Sequence, residues 1–190
     1  MSEPASEPRG GAGARLRRRG AGPAQVQPVL KLPPDSGAVS WGDNQNGQLG
    51  NGSTAGSTSY AGVSWLSSGV TQISAGDYDN AMALTTGGAV WTWGLGLALG
   101  TGSAASSTVP HTGPRLTEVT EISAGLGYDL ALCSDGTVWA WDGNPFGQLG
   151  AGNTTTIPNS TPIHVRLLEA EVSTRDKNVF TTTQAIIAYI

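Results

Sequence analysis

The sequence predicts an all-β fold made of small repeated sheets, and three observations carry that prediction. Glycine supplies 28 of the 190 residues and proline 11, too many for a helical bundle, where each interior glycine costs roughly 1 kcal/mol relative to alanine. A Leu-Gly-x-Gly string recurs at Leu49-Gly50, Leu99-Gly100 and Leu149-Gly150, 50 residues apart each time. Between these strings lie short apolar segments separated by turn chemistry, not long amphipathic stretches.

The elements follow in order along the chain. Residues 1–32 are mostly Gly, Ala, Pro, Arg and Glu with little to bury, and read as a disordered basic arm. The repeats then occupy 33–165. Their Trp-bearing strings are VSWGDNQNGQLGNGS at 39–53, VWTWGLGLALGTGS at 90–103 and VWAWDGNPFGQLGAGN at 138–153. A second block, VTQISAG at 70–76 and VTEISAG at 119–125, is followed by Ala83-Leu84 and Ala131-Leu132. TTGG and CSDG then turn each Ala-Leu strand back into a Trp strand. Trp91 and Trp93, like Trp139 and Trp141, are two residues apart and so share one face of a strand. Each unit thus has a Trp strand, a Gly/Asn turn carrying Leu-Gly, a Val-x-x-Ile-Ser-Ala strand and an Ala-Leu strand, with a less regular stretch after Leu-Gly-x-Gly. Four short segments per unit of about 50 residues is the pattern of propeller blades. The expected fold is therefore an all-β partial propeller of about three four-stranded blades.

Residues 166–190 read as a degenerate fourth repeat or a C-terminal strand. Glu171-Val172-Ser173-Thr174-Arg175 falls 50 residues after Glu121-Ile122-Ser123-Ala124-Gly125, with Arg175 in place of a glycine. Tyr189 lies 48 residues after Trp141, the interval that separates Trp93 from Trp141. A further blade is expected to begin where the sequence stops.

Charge is distributed unevenly. Residues 1–31 hold six basic and two acidic side chains, whereas 32–165 hold one basic residue, Arg115, against nine acidic ones. An acidic, Lys-free repeat region cannot neutralise phosphates, so nucleic acid is expected to meet only Arg15, Arg17, Arg18 and Arg19 of the arm, if it binds at all. Those arginines also fit a nuclear-import signal or a solvated tail. Cys133 is alone, which excludes a disulfide framework. No apolar run approaches the ~20 residues that span a bilayer, and no apolar segment follows the arginines to make a secretory signal. A cytoplasmic location is expected. Asn51, Asn153 and Asn159 stand in N-x-S/T triplets, which carry little without such a signal.

Motifs that carry chemistry fail on inspection. Gly94-Leu95-Gly96-Leu97-Ala98-Leu99-Gly100 superficially matches a dinucleotide fingerprint, but a helix must follow to hold the pyrophosphate, and TGSAASSTVP follows instead. GDNQNGQLGNG invites a calcium reading, yet counted from Asp43 the sixth position is Gln48 and the twelfth Thr54, not Gly and Glu. Pro145 and Phe146 in the third copy supply no ligands either. His111 and His164, the two histidines, stand in polar connecting stretches beside Pro110 and Pro162, with no triad or metal spacing around them. No catalytic residue, cofactor or metal site is expected. The Trp pairs are read as packing, with a stacking platform for sugars or bases as the alternative, and Trp65, outside their register, as an exposed aromatic.

The strings resemble the regulator-of-chromosome-condensation repeat, with its Trp-Gly-x-Asn-x-x-Gly-Gln-Leu-Gly-x-Gly turn and its Ala-Gly-x-x-His-x-x-Ala-Leu strand. Trp41, Gly42, Asn44, Gly47, Gln48, Leu49, Gly50 and Gly52 fill the first motif, and Trp141, Asn144, Gly147, Gln148, Leu149, Gly150 and Gly152 nearly refill it. The second copy is two residues shorter and lacks both Asn and Gln. In place of the family's His the chain has Asp79, with one extra residue in that loop, and Tyr128. The resemblance implies a binding protein without chemistry of its own. Loops at one end of the blades would meet a protein partner, and Tyr78, Asp79, Asn80, Tyr128 and Asp129 are the candidate contact residues because they fill equivalent loops and break the family pattern. Relatives that promote nucleotide exchange on a small GTPase make such a GTPase an alternative partner, although they use a closed seven-bladed ring and an inserted wedge. A secreted inhibitor-like protein and a non-functional fragment are further alternatives. An unclosed stack leaves two sheet faces exposed, so self-association is also expected.

Overall fold

The computed structural model describes residues 29–31, 37–77 and 79–166. Among the described residues, eleven strands form three antiparallel sheets, each a meander in chain order. The first sheet holds β1 (Val29–Lys31), β2 (Val39–Gly42) and β3 (Ser57–Gly62). The second holds β4 (Val70–Ala75), β5 (Asn80–Thr85), β6 (Val90–Gly94) and β7 (Ser107–Thr112). The third holds β8 (Val119–Ala124), β9 (Tyr128–Cys133), β10 (Val138–Asn144) and β11 (Thr155–His164). These are blades of a partial propeller. The arm expected over 1–32 overlaps β1, which pairs with β2 through Val29 opposite Trp41. The repeat expected over 166–190 lies, apart from Arg166, outside the described residues.

The Ile-Ser-Ala, Ala-Leu and Trp segments become β4, β5 and β6 and, one blade on, β8, β9 and β10. The fourth strand of each blade is the irregular stretch after Leu-Gly-x-Gly, and the Leu-Gly turn itself is not a strand. β3 is mostly solvent-exposed, and an outer strand with one wet side needs few apolar residues. His111 and His164 therefore lie in β7 and β11, not in connecting loops. His164 meets Trp139 edge-on at 5.4 Å between ring centroids.

Alternation along the inner strands sorts side chains to the two neighbouring blades. Ala81 and Ala83 of β5 join Ala38, Val63, Leu66, Val70 and Trp93 between blades 1 and 2. Met82 and Leu84, on the other face, join Val119, Ile122, Ala131, Cys133 and Trp141 between blades 2 and 3. The second tryptophan of each pair is thus core, at 0% exposure for Trp93 and Trp141, while Trp91 and Trp139 are half-buried. Trp65 is 68% exposed, on a left-handed backbone with φ 62°.

The buried tryptophans also tie each blade to the one before it. Trp93 Nε1 donates to the Gln48 carbonyl at 2.8 Å, and Trp141 Nε1 to the Ala98 carbonyl at 3.0 Å. Both acceptors precede the Leu of a Leu-Gly turn. A Cβ at Gly50 or Gly100 would stand 2.7 or 3.1 Å from the same indole nitrogens, so glycine is required there both for a φ near 65° and for room.

Candidate functional site

The loops at one end of the blades are 43–56, 76–79, 95–106, 125–127 and 145–154. Asn44 organises the first. Its Oδ1 accepts from Leu49 N at 2.8 Å, and its Nδ2 donates to the carbonyls of Ser53 and Ala55 at 2.9 and 3.0 Å. Asn144 repeats this, accepting from Leu149 N and donating to the Asn153 carbonyl, both at 3.0 Å. Gln48 Oε1 caps Asn46 N, and Gln148 Oε1 caps Phe146 N. In the second blade, which lacks both amides, a short 3-10 turn at Gly96–Ala98 takes their place, with Gly96 N bonded to Ser106 Oγ. The Asp/Asn-rich string is therefore turn scaffolding. Among the described residues, no group of three or more His, Cys, Asp or Glu could hold a metal ion.

Tyr78 lies outside the described residues. Asp79 adopts φ 61°, and its carboxylate accepts from Asn46 Nδ2 at 3.0 Å and Gln48 Nε2 at 3.1 Å. It joins the turn of blade 1 to blade 2. Asn80 Nδ2 donates to both carboxylate oxygens of Asp129, at 2.8 and 2.9 Å, joining blade 2 to blade 3. Asn80 is 1% and Asp129 0% exposed, so these two do not face outward as the sequence suggested. Asn80 opens β5 and Asp129 is the second residue of β9, where the strands turn their side chains into the blade contact. Tyr128 is buried too, its ring against Gly125.

Register corrects one further expectation. Tyr128 pairs with Asp142, and Asn80 pairs with Gly94, the residue after the core tryptophan in each case. Asn80, not Asp79, is thus the counterpart of Tyr128 and of the family His. Asp79 is the extra residue of that loop, accommodated by its left-handed backbone.

Burial raises Asp129, Asp142 and Tyr128. It pushes the Asp129 carboxyl well above the usual range, with the Asn80 bond opposing. It also lifts Asp142 to about 6, and burial followed by the neighbouring Asp129 raises the Tyr128 phenol. Asp142 has φ 79° where the other blades have Gly42 and Gly94 at 112° and 100°. For an acid whose folded pKa is raised, the folded state holds the proton more tightly than the unfolded chain. Its contribution is therefore most favourable below about pH 4 and is lost as pH rises through about 6. Thermal scans should show the melting temperature falling between pH 4.5 and 7.5. Asp142→Gly should flatten that fall and add about 1 kcal/mol at pH 7.5 by removing left-handed strain. A variant with the slope of the parent would disprove the assignment.

Sequence reasoning missed the two most exposed large apolar side chains of these loops. Leu126 is 56% and Phe146 91% exposed. Gly143 N, near the end of the β10 strand that leads into the Phe146 turn, donates at 2.8 Å to the carbonyl of Gly127, the residue after Leu126. The signal was visible in the copies: Pro145-Phe146 replaces Gln45-Asn46, which makes Phe146 the counterpart of the residue that bridges to Asp79 in the first blade. At the opposite end, a groove of about 920 Å³ between blades 2 and 3 is lined by Arg115, Leu116, Glu118, Asp135 and Trp139 among others.

Four-stranded antiparallel blades, tied by a tryptophan to the preceding turn, define a protein of the β-propeller class. Residues 37–82 match the Regulator of chromosome condensation (RCC1) repeat, and residues 70–97 match a second form of it. Residues 37–97 thus carry repeats of this family. The chain is similar to human WBSCR16, at 27% identity and a TM-score of 0.64 over 73% of this chain and 37% of that one. It is also similar to Prp20p of Saccharomyces cerevisiae, at 19% identity and a TM-score of 0.67 over 76% of this chain and 37% of that one. Yeast RCC1 (Prp20) bound to Kap60 superposes with a TM-score of 0.61 at 18% identity, over 75% of this chain and 36% of that one. The chain thus spans little more than a third of the length of these proteins.

Proposed function

We propose that this chain is a non-enzymatic protein-interaction module whose contact face is the loop end bearing Leu126 and Phe146, together with the 76–79 loop that holds Tyr78 and Asp79. The observation that carries this reading is Phe146, 91% exposed on a turn fixed by Gln148 and Asn144. A large aromatic held rigidly in water loses little entropy when a partner covers it, which is the character of a binding hot spot. The acidic balance of the repeats suits a basic partner surface, and such contacts weaken as salt rises. Prp20p is described with binding properties to Gsp1p and histones, which supports a protein partner for this chain and makes exchange on a small GTPase the second reading.

The test uses purified full-length chain titrated with a small GTPase and, separately, with a basic protein such as histone. Phe146→Ser with Leu126→Ser should weaken the productive complex at least about tenfold without moving the melting temperature, while Ile157→Ser, on β11, should leave it intact. Equal binding by both variants would remove this face from the proposal. Nucleotide release no faster than the intrinsic rate would remove the exchange reading and leave plain binding.

A further inference from the structure

The groove between blades 2 and 3 exists because two residues depart from the pattern of the other blades. Val63, Gly113 and Val165 are equivalent: each donates its N–H to the carbonyl three residues before a tryptophan, on Ala38, Val90 and Val138. A Cβ at Gly50 would stand 3.0 Å from Val63 Cγ1, and one at Gly150 2.7 Å from Val165 Cγ1, so each valine covers the glycine of its Leu-Gly turn. Gly113 leaves Gly100 uncovered. The cause is in β6, where Thr92 takes the place of Ser40 and Ala140. A Cβ at Gly113 would meet Thr92 Oγ1 at 2.5 Å and Cγ2 at 2.8 Å. The next residue removes a donor as well. Ser64 N donates to the Gly50 carbonyl and Arg166 N to the Gly150 carbonyl, both at 2.9 Å. Pro114 holds that place in blade 2 and has no N–H, so the Gly100 carbonyl goes without this bond. Gly100, Gly113 and Pro114 all line the groove, whose volume of about 920 Å³ is that of a small-molecule site.

The other lining side chains are held in place. Trp139 Nε1 donates to Thr137 Oγ1 at 3.2 Å, and His164 braces the ring edge-on. Thr137 Oγ1 donates to Asp135 Oδ1 at 2.6 Å, and Ser134 Oγ to Glu118 Oε2 at 2.7 Å, which fixes each carboxylate through one oxygen. Arg115 is the one cation among the described lining residues. We propose that this groove binds a neutral saccharide, with a sugar ring laid on Trp139 and a hydroxyl donated to the Gly100 carbonyl. Two carboxylates against one guanidinium repel an anionic ligand such as a nucleotide, and a cationic side chain would meet Arg115 as a like charge. A sugar hydroxyl both donates and accepts, so it satisfies the carboxylates and the guanidinium alike. The apolar face of the sugar ring takes the indole, a side chain suited to one dry and one wet side.

Isothermal titration calorimetry of the purified full chain with cellotetraose, maltotetraose and tetra-N-acetylchitotetraose tests the site. At least one should bind with a dissociation constant of about 1 mM or tighter. Thr92→Ser with Gly113→Val, which restores the pair found in blade 1, should weaken that binding at least about tenfold without lowering the melting temperature. Pro114→Ala, which returns an N–H to the Gly100 carbonyl, should weaken it several-fold. Trp139→Ala should abolish it while the circular dichroism stays that of the parent. Phe146→Ser with Leu126→Ser should leave it unchanged, so this site stands or falls apart from the loop face. No heat from any of the three sugars at about 10 mM would overturn the proposal. So would sugar binding that survives both the filled groove and the loss of Trp139. Trp139-dependent binding of tetra-arginine in place of the sugars would also overturn it, since a basic peptide would then be the occupant.

Discussion

Trp141→Ala is expected to cost about 3–5 kcal/mol, the range for removing a fully buried aromatic. Two losses combine. The indole leaves a cavity between blades 2 and 3, among Met82, Val119 and Ile122, and the buried Ala98 carbonyl loses its donor. Domains of this size have about 5–15 kcal/mol in total, so the variant should unfold at a much lower urea concentration. Two controls separate the losses. Trp139→Ala, at a half-buried position, should cost about 1–2 kcal/mol. Trp141→Phe keeps most of the packing and should report mainly the orphaned carbonyl, at about 1–3 kcal/mol. Equal midpoints for Trp141→Ala and Trp139→Ala would show that the blades do not stack as described.

Asn44→Ala should be the next most damaging change, at about 2–4 kcal/mol, because it orphans one buried backbone N–H and takes the donor from two part-buried carbonyl bonds at once. Leu49 N loses its acceptor, and the Ser53 and Ala55 carbonyls lose their donor. Leu49 is itself 0% exposed, so water cannot easily replace the amide. Asn144→Ala removes one donor-to-carbonyl bond fewer and should cost less. Asn44→Asp keeps the acceptor for Leu49 N but faces two carbonyls with a carboxylate, so it should recover little. Denaturant titration of the three variants gives the ranking, and an Asn144 variant less stable than the Asn44 variant would contradict it.

The parts of this fold legible in the sequence were those written in local chemistry and repeated. The turn asparagines, the Leu-Gly pairs and the tryptophans occupy the same offsets in successive blades, and the structure gives each a physical reason. The outer strands were harder, because an edge strand such as Ser57–Gly62 carries no alternating apolar signal. The candidate contact residues misled for a different reason. Asn80 and Asp129 differ from the family pattern, which in a loop suggests display, whereas their bond joins two blades across 49 positions of sequence. One extra residue at Asp79 also shifted the count by one, and only strand register reveals it. Phe146 stands out in the sequence as a departure between copies, but a single ring in a polar turn carries no signal of its exposure, which the fold alone reveals.

The tryptophan-to-carbonyl bonds have an optical consequence. Trp93 sits in the contact between blades 1 and 2, and Trp141 in the contact between blades 2 and 3, each indole dry and hydrogen-bonded. Each boundary thus contains its own fluorophore. With the other tryptophans replaced by phenylalanine, the emission maximum of either one reports water entering at a single boundary. Comparing the two traces during unfolding would show whether the blades part together or one at a time.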